Sequence, residues 1–305
     1  MYVVTGATGH TGSVVATTLL AEGKKVRVVG RSTERLSSLA SLGAEPFAAD
    51  ITDKEAITKA FSGAEAAYVM IPPDMASPDY AAYQDRAIEA IASALEKGAP
   101  AHVVALSSFG ADKPDKTGPI AGVHRLEERL KRISGLNALY VRAGYFMENT
   151  LAQAGVIQQM GATAGPLNAD LKIPMIATRD IGNFAADELL RLEFRGHQTQ
   201  ELLGQRDLTM PEVAGIIGRA IGNPELQYRQ ITYDQFRGFL VQMGVSQGTA
   251  DLMVEMVEAQ NLGRVRAQEA RSQRNTTPTS YEQFVGETFV PAYKASSAAT
   301  TSATA

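Results

Sequence analysis

The 305-residue sequence contains no cysteine. Disulfide bonds, thiolate nucleophiles and cysteine-based metal sites are therefore excluded. Histidine is scarce as well: there are only 4, and no pair or triad of ligating residues has the spacing of a metal site. No apolar run is long enough to span a bilayer. There is no excess of positive charge either, since 29 Lys and Arg against 33 Asp and Glu leave a net charge of −4. No basic field is on offer to nucleic acid. The sequence opens inside an apolar strand with no leader ahead of it, so a cytoplasmic protein is expected by elimination. None of the 10 tyrosines is followed by a lysine four positions on. A lysine one helical turn away that lowers a tyrosine pKa for proton transfer is thus missing.

What is present begins at once. Residues 2–12 read Tyr-Val-Val-Thr-Gly-Ala-Thr-Gly-His-Thr-Gly, a short β-branched strand running into Gly6, Gly9 and Gly12. Gly6 permits a tight turn, Gly9 lets backbone approach a phosphate, and Gly12 lets the following helix pack closely. A helix from about residue 10 to 22 then aims its free N–H groups and dipole at an anion. Thr8, His10 and Thr11 complete the set expected around a pyrophosphate, with His10 covering it. The spacing is GxxGxxG rather than the GxGxxG fingerprint. The second strand, Lys25 to Gly30, ends at Arg31, where a dinucleotide fold reads the adenosine ribose. An acid there would select NAD. Arg31, with Ser32 and Arg35 nearby, offers donors and charge to a 2′-phosphate and points to NADP (NADPH) over NAD.

The first half continues as alternating strands and helices. Strands are expected at 44–49, 66–71, 101–106 and 138–142, and helices at 36–42, 53–61, 78–97 and 120–133. Repeated βα units imply a parallel sheet covered on both faces. Six strands with a glycine turn after the first imply the doubly wound, Rossmann-type order 3-2-1-4-5-6. The expected fold class is therefore α/β with a smaller C-terminal α+β lobe. Residues 1–150 would form the dinucleotide-binding domain and 151–294 the covering lobe, which can return elements to the sheet. Residues 295–305, only Ala, Ser and Thr, are expected to be a disordered tail.

Ligands bind beyond the carboxyl ends of such strands. Asp50 there either accepts from the adenine amino group or closes a turn, and Ile51 covers the ring. Ile71 and Pro72 flank the ribose. Ser107 and Ser108 bond to cofactor or substrate, or close a loop. Tyr145 and Phe146 form an apolar wall against a nicotinamide and a flat substrate. His124 is the one histidine placed to work near that pocket, with Glu128 one turn on to orient it. Tyr145 and His124 are the candidate catalytic residues.

Val4 to Gly12 resembles the nucleotide turn of the NmrA-like family of atypical short-chain dehydrogenases/reductases. So do Tyr140 to Asn149, Ile173 to Gly182 and Thr277 to Phe284, and together these matches span residues 2–290. The resemblance implies an NAD(P)-binding protein. The family includes NADPH-dependent quinone reductases, triphenylmethane-dye reductases, isoflavone and phenylcoumaran ether reductases, and NAD(P)-binding redox sensors without turnover. In the ether-reductase branch a lysine on the helix before the sixth strand moves the proton; the matching position here is His124, a departure from that pattern. The expectation is an NADPH-preferring reductase, monomeric or homodimeric, that passes hydride to a small conjugated acceptor such as a quinone. The alternatives are a sensor and, more weakly, an isomerase using NAD(P) transiently.

Overall fold

The computed structural model describes residues 1–303, with side chains through Ser296. The first six strands are β1 (Tyr2–Thr5), β2 (Val26–Gly30), β3 (Glu45–Ala48), β4 (Ala66–Val69), β5 (His102–Ser108) and β6 (Asn137–Ala143). Between them lie α1 (His10–Ala21), α2 (Ser37–Ser41), α3 (Lys54–Ala60), α4 (Tyr80–Gly98) and α5 (Ile120–Leu130). Then follow β7 (Tyr145–Phe146), a 3₁₀ turn, α6 (Gln153–Met160), β8 (Thr163–Gly165), β9 (Ile173–Ile176), α7 (Thr178–Arg191), β10 (His197–Leu202) and β11 (Asp207–Leu208). The last elements are α8 (Met210–Ile221), β12 (Tyr228–Gln230), α9 (Tyr233–Gln242), α10 (Gln247–Asn261), α11 (Tyr281–Phe284) and α12 (Val290–Ala303). Residues 295–303, expected to be part of a disordered tail, instead continue α12 as helix, and residues 304 and 305 lie outside the described residues.

The main sheet has seven strands in the order β10-β6-β5-β4-β1-β2-β3, and every pairing in it is parallel. Its first six strands follow the doubly wound order expected from the βα alternation. The seventh, β10, comes from the second half of the chain and pairs with β6. Both faces are covered, so alternate residues of a strand enter different cores. Val103 and Ala105 face one core with Ile91, Leu95 and Leu126. Val104 and Leu106 face the other with Val15, Leu19 and Ile181. This double burial is why the strands read as apolar runs without alternation. Pro46 sits in β3, the edge strand, where a missing backbone N–H is tolerated.

The second half folds back over the carboxyl ends of the sheet. β9 pairs in parallel with β7 and antiparallel with β11, and β12 pairs with β8. Helix α10 is held across these ends. Ser246, at its N-terminus, bonds to the Met75 carbonyl through its N–H at 3.0 Å. Its Glu255 accepts from Gly118 N–H at 3.0 Å, and Asn261 accepts from Asn168 N–H at 2.8 Å.

Candidate functional site

The turn between β1 and α1 is built by its glycines. Gly6 has φ of +61°, and a Cβ on it would lie 2.5 Å from Met70 Sδ. A Cβ on Gly12 would lie 2.4 Å from the Gly6 carbonyl oxygen. Gly12 thus lets the helix start against the turn itself, while Gly6 keeps its oxygen turned in to accept from Gly9 N–H at 2.9 Å. Gly9 caps α1 without any side-chain hydrogen bond, and no acid sits in the first turn. The first N–H groups of a 12-residue helix are left to solvent or a ligand, at the positive end of its dipole.

One cavity of about 260 Å³ opens beside this turn. It brings together Gly6, Thr8, Gly9, Arg31, Asp50, Ile51 and Pro72 from the ends of β1, β2, β3 and β4. Tyr83 of α4 also lines it and donates to the Pro72 carbonyl at 2.7 Å. Burial, followed by the neighbouring Asp50, pushes the Tyr83 phenol up to about 12, so it acts there as a neutral donor. Sequence reasoning missed Tyr83, because on a helix it reads as one more apolar position beside Tyr80. Asp50 has one carboxylate oxygen committed to a turn, accepting from Thr52 N–H at 2.8 Å and Thr52 Oγ1 at 2.6 Å. The Thr52 hydroxyl is the main cause holding this carboxyl below its ordinary range, with Arg31 and Arg86 adding to it. The turn role and the cavity position therefore coexist.

Four other residues expected at the cofactor, His10, Thr11, Ile71 and Ser107, do not line that cavity. His10 is exposed at the start of α1. Thr11 is buried and its hydroxyl accepts from Tyr68 at 2.8 Å, bolting α1 to β4. Ile71 is half-buried and packs on the core beneath the sheet. Ser107 is turned inward: its hydroxyl donates to Glu127 Oε1 at 2.6 Å. Glu127, 2% exposed, also accepts from Arg142 through both oxygens at 2.9 and 2.6 Å. The neighbouring Ser108 is the serine that faces a cavity.

That second cavity, about 470 Å³, lies at the ends of β5 and β6. Ser108, Phe109, Tyr145, Phe146 and Asn149 form one side, and Ile173, Pro174, Met256 and Gln260 are among the residues of the other. Burial pushes the Tyr145 phenol up to about 12. It is therefore a neutral donor at ordinary pH, not a base. His124 is not brought to either cavity. Its Nδ1 bonds to the Ala111 carbonyl oxygen at 2.8 Å, and it opens on a groove between α4 and α5 with Asp85, Pro114 and Arg125. One turn of α5 separates it from Ile120, which does line the second cavity. Periodicity gives spacing along a helix but not which face meets the ligand. Among the described residues no cluster of metal-ligating side chains occurs, and no helix is long and apolar enough to cross a membrane.

Known proteins resemble this chain along nearly its whole length. The profile of the NmrA-like family matches residues 2–285. The chain is 30% identical over 243 residues to (4-alkanoyl-5-oxo-2,5-dihydrofuran-3-yl)methyl phosphate reductase of Streptomyces griseus subsp. griseus, covering 79% of this chain and 80% of that one. It is 28% identical over 262 residues to NAD(P)H azoreductase of Xenophilus azovorans, covering 84% and 86%. The crystal structure of an NADPH-dependent quinone oxidoreductase of Escherichia coli, complexed with NADPH, shares the fold with a TM-score of 0.78 at 22% identity, covering 95% of this chain and 100% of that one. With the family profile satisfied from the first strand to beyond α11, this chain belongs to the NmrA-like family.

Proposed function

We propose that the protein is an NADPH-preferring reductase that delivers hydride to a small conjugated acceptor of the quinone type. The observation that carries this reading is the placement of two complementary cavities along the carboxyl ends of one parallel sheet. The first has the form of an adenosine and phosphate site. Its open helix N-terminus suits a pyrophosphate, Arg31 suits a 2′-phosphate, and Asp50 and Ile51 suit an adenine edge and face. The absence of a Cβ at Gly6 and Gly12 keeps the turn compact enough to serve as that cradle. The second cavity has aromatic walls, with Lys172, Asp207 and Arg266 also among its lining; the aromatic side suits a flat acceptor. Relatives that are reductases, and one bound to NADPH, support the same reading.

The dihydronicotinamide, when bound, supplies a hydride. The residues of the second cavity would hold the acceptor flat between Phe109, Tyr145 and Phe146. Tyr145, kept neutral by burial, donates a hydrogen bond to an acceptor oxygen that gains negative charge as hydride arrives. The accompanying proton comes from water, since no tyrosine–lysine pair is available to deliver it. The protein's contribution in this reading is orientation and a weak oxyanion contact rather than strong acid catalysis.

The test follows dihydronicotinamide absorbance with NADPH and NADH against quinones, azo dyes and enones, beside direct binding titrations of both cofactors. Turnover with at least one acceptor, and tighter NADPH than NADH binding, is the expected result. Selective NADPH binding without turnover across the panel would overturn the reductase and favour a sensor.

A further inference from the structure

A third cavity of about 440 Å³ adjoins the aromatic one. Tyr145, Asn149, Met256 and Gln260 line both. Met256 and Gln260 are four residues apart and so share one face of α10. These four side chains are the boundary that two chambers share, each large enough for a small molecule.

The polar groups of the far chamber are already satisfied within the protein. Gln153 exchanges two hydrogen bonds with Ala164, at 3.0 and 2.9 Å. Tyr228 donates to the Gly165 and Leu167 carbonyls at 2.6 and 2.8 Å. Glu148 accepts from Thr178 N–H and Oγ1. What this chamber presents is therefore mainly apolar, with Leu167, Phe236, Leu240 and Met253 among its walls.

The boundary is the opposite case. Tyr145 and Asn149 make no side-chain hydrogen bond among the described residues. Gln260 Oε1 is buried and meets no hydrogen-bond partner among the described residues. An orphaned buried carbonyl is destabilising unless a donor reaches it. Three unpaired polar side chains at the boundary between an aromatic and an aliphatic chamber are positioned to read a ligand that occupies both.

We propose that the two chambers are one substrate site, shaped for an acceptor in two parts. The flat conjugated head lies against Phe109, Tyr145 and Phe146. An apolar alkyl or aryl arm runs past Met256 into the far chamber. A hydroxyl or N–H at the joint donates to Gln260. This inference rests on the reductase reading for the identity of the head, but the arm and the joint are read from the cavity alone.

The experiment uses the full chain with 2-alkylamino-1,4-naphthoquinones whose N-alkyl arm runs from methyl to octyl, and their 2-alkoxy counterparts, which lack the N–H. Both kcat/KM with NADPH and calorimetric affinity with NADP⁺ present are measured. Each methylene that enters the far chamber raises affinity about fourfold, until the chamber is filled and the series levels off. The amino compounds bind at least about tenfold better than the alkoxy ones, and Gln260→Leu removes that preference. Met253→Trp fills the far chamber and flattens the length series. Leu240→Trp repeats the test from the adjacent helix should Met253→Trp fail to fold. A flat length series in wild type, or an equal slope in wild type and both tryptophan variants, overturns the proposal even if short quinones are reduced. Length-dependent binding without reduction of any member supports the two-part site and instead overturns the reductase.

Discussion

Replacing Arg31 with alanine isolates the claim on which cofactor choice depends. Arg31 directly follows β2, lines the cavity beside Asp50, and has no hydrogen bond or ion pair to another side chain among the described residues. Its guanidinium is therefore free to meet a phosphate without first breaking a contact. A hydrogen bond to a charged group is worth about 1.5–3 kcal/mol. Two unit charges 4 Å apart attract by about 1 kcal/mol in water and about 4 kcal/mol at an effective dielectric of 20. Arg31 is exposed, which places it toward the lower end. A loss of about 2 kcal/mol follows, or about 30-fold in Kd for NADPH, with NADH changed by no more than about twofold. The discrimination shrinks as salt is added, because the Debye length falls to about 10 Å at 0.1 M. Titration of wild type and Arg31→Ala with both cofactors, at low and at physiological salt, measures all of this. Arg132→Ala, an exposed arginine beyond α5 and outside this cavity, is the control. Equal losses for NADPH and NADH would refute the 2′-phosphate assignment and make Arg31 a support for Asp50 and its turn.

Other predictions test the cradle, its foundations and the placement of the catalytic candidates. Gly12→Ala drives a Cβ to 2.4 Å from a backbone oxygen, so it lowers stability by about 1–3 kcal/mol and weakens both cofactors. Gly155→Ala, in α6 with no atom near the added methyl, is neutral or stabilising; an unaffected Gly12→Ala would refute the close-approach argument. Arg142→Leu leaves the buried Glu127 with only Ser107 as a side-chain partner. It costs about 3–5 kcal/mol and lowers Tm by on the order of 10 °C, whereas Arg142→Leu with Glu127→Leu recovers much of the loss. A single variant that melts like wild type would sink this account. His124→Ala leaves kcat/KM within about twofold, since the ring lies outside both cavities; a loss of an order of magnitude would return His124 to the site. Tyr145 has its pKa raised above the ordinary tyrosine value, so the phenol remains a donor and its contribution is lost only as pH climbs through about 12. Its signature is a kcat/KM profile with no tyrosine limb between roughly pH 6 and 10, and a limb below pH 10 that vanishes in Tyr145→Phe would contradict it.

Much of this was legible before any coordinates, because it depends on local rules. A β-branched run ending in spaced glycines fixes a strand, a turn and a helix start. The βα alternation then fixes parallel strands, right-handed crossovers and the order in which six strands lie. The rule that ligands gather beyond the carboxyl ends of such strands carried Arg31, Asp50, Ile51 and Pro72 to one cavity. It carried Tyr145 and Phe146 to another.

Tertiary structure decided the rest. Whether Ser107 or its neighbour Ser108 faces the ligand depends on Glu127 and Arg142, 20 and 35 positions further along. Whether His124 meets the substrate depends on how α5 is rotated against α4, which the amphipathic pattern leaves open by a turn. The seventh strand, β10, pairs with β6 only after the intervening chain has crossed the strand ends. The boundary between the two chambers joins Tyr145 and Asn149 to Met256 and Gln260, residues more than a hundred positions apart. Contacts of that range are set by packing, since periodicity constrains a side chain only within its own strand or helix.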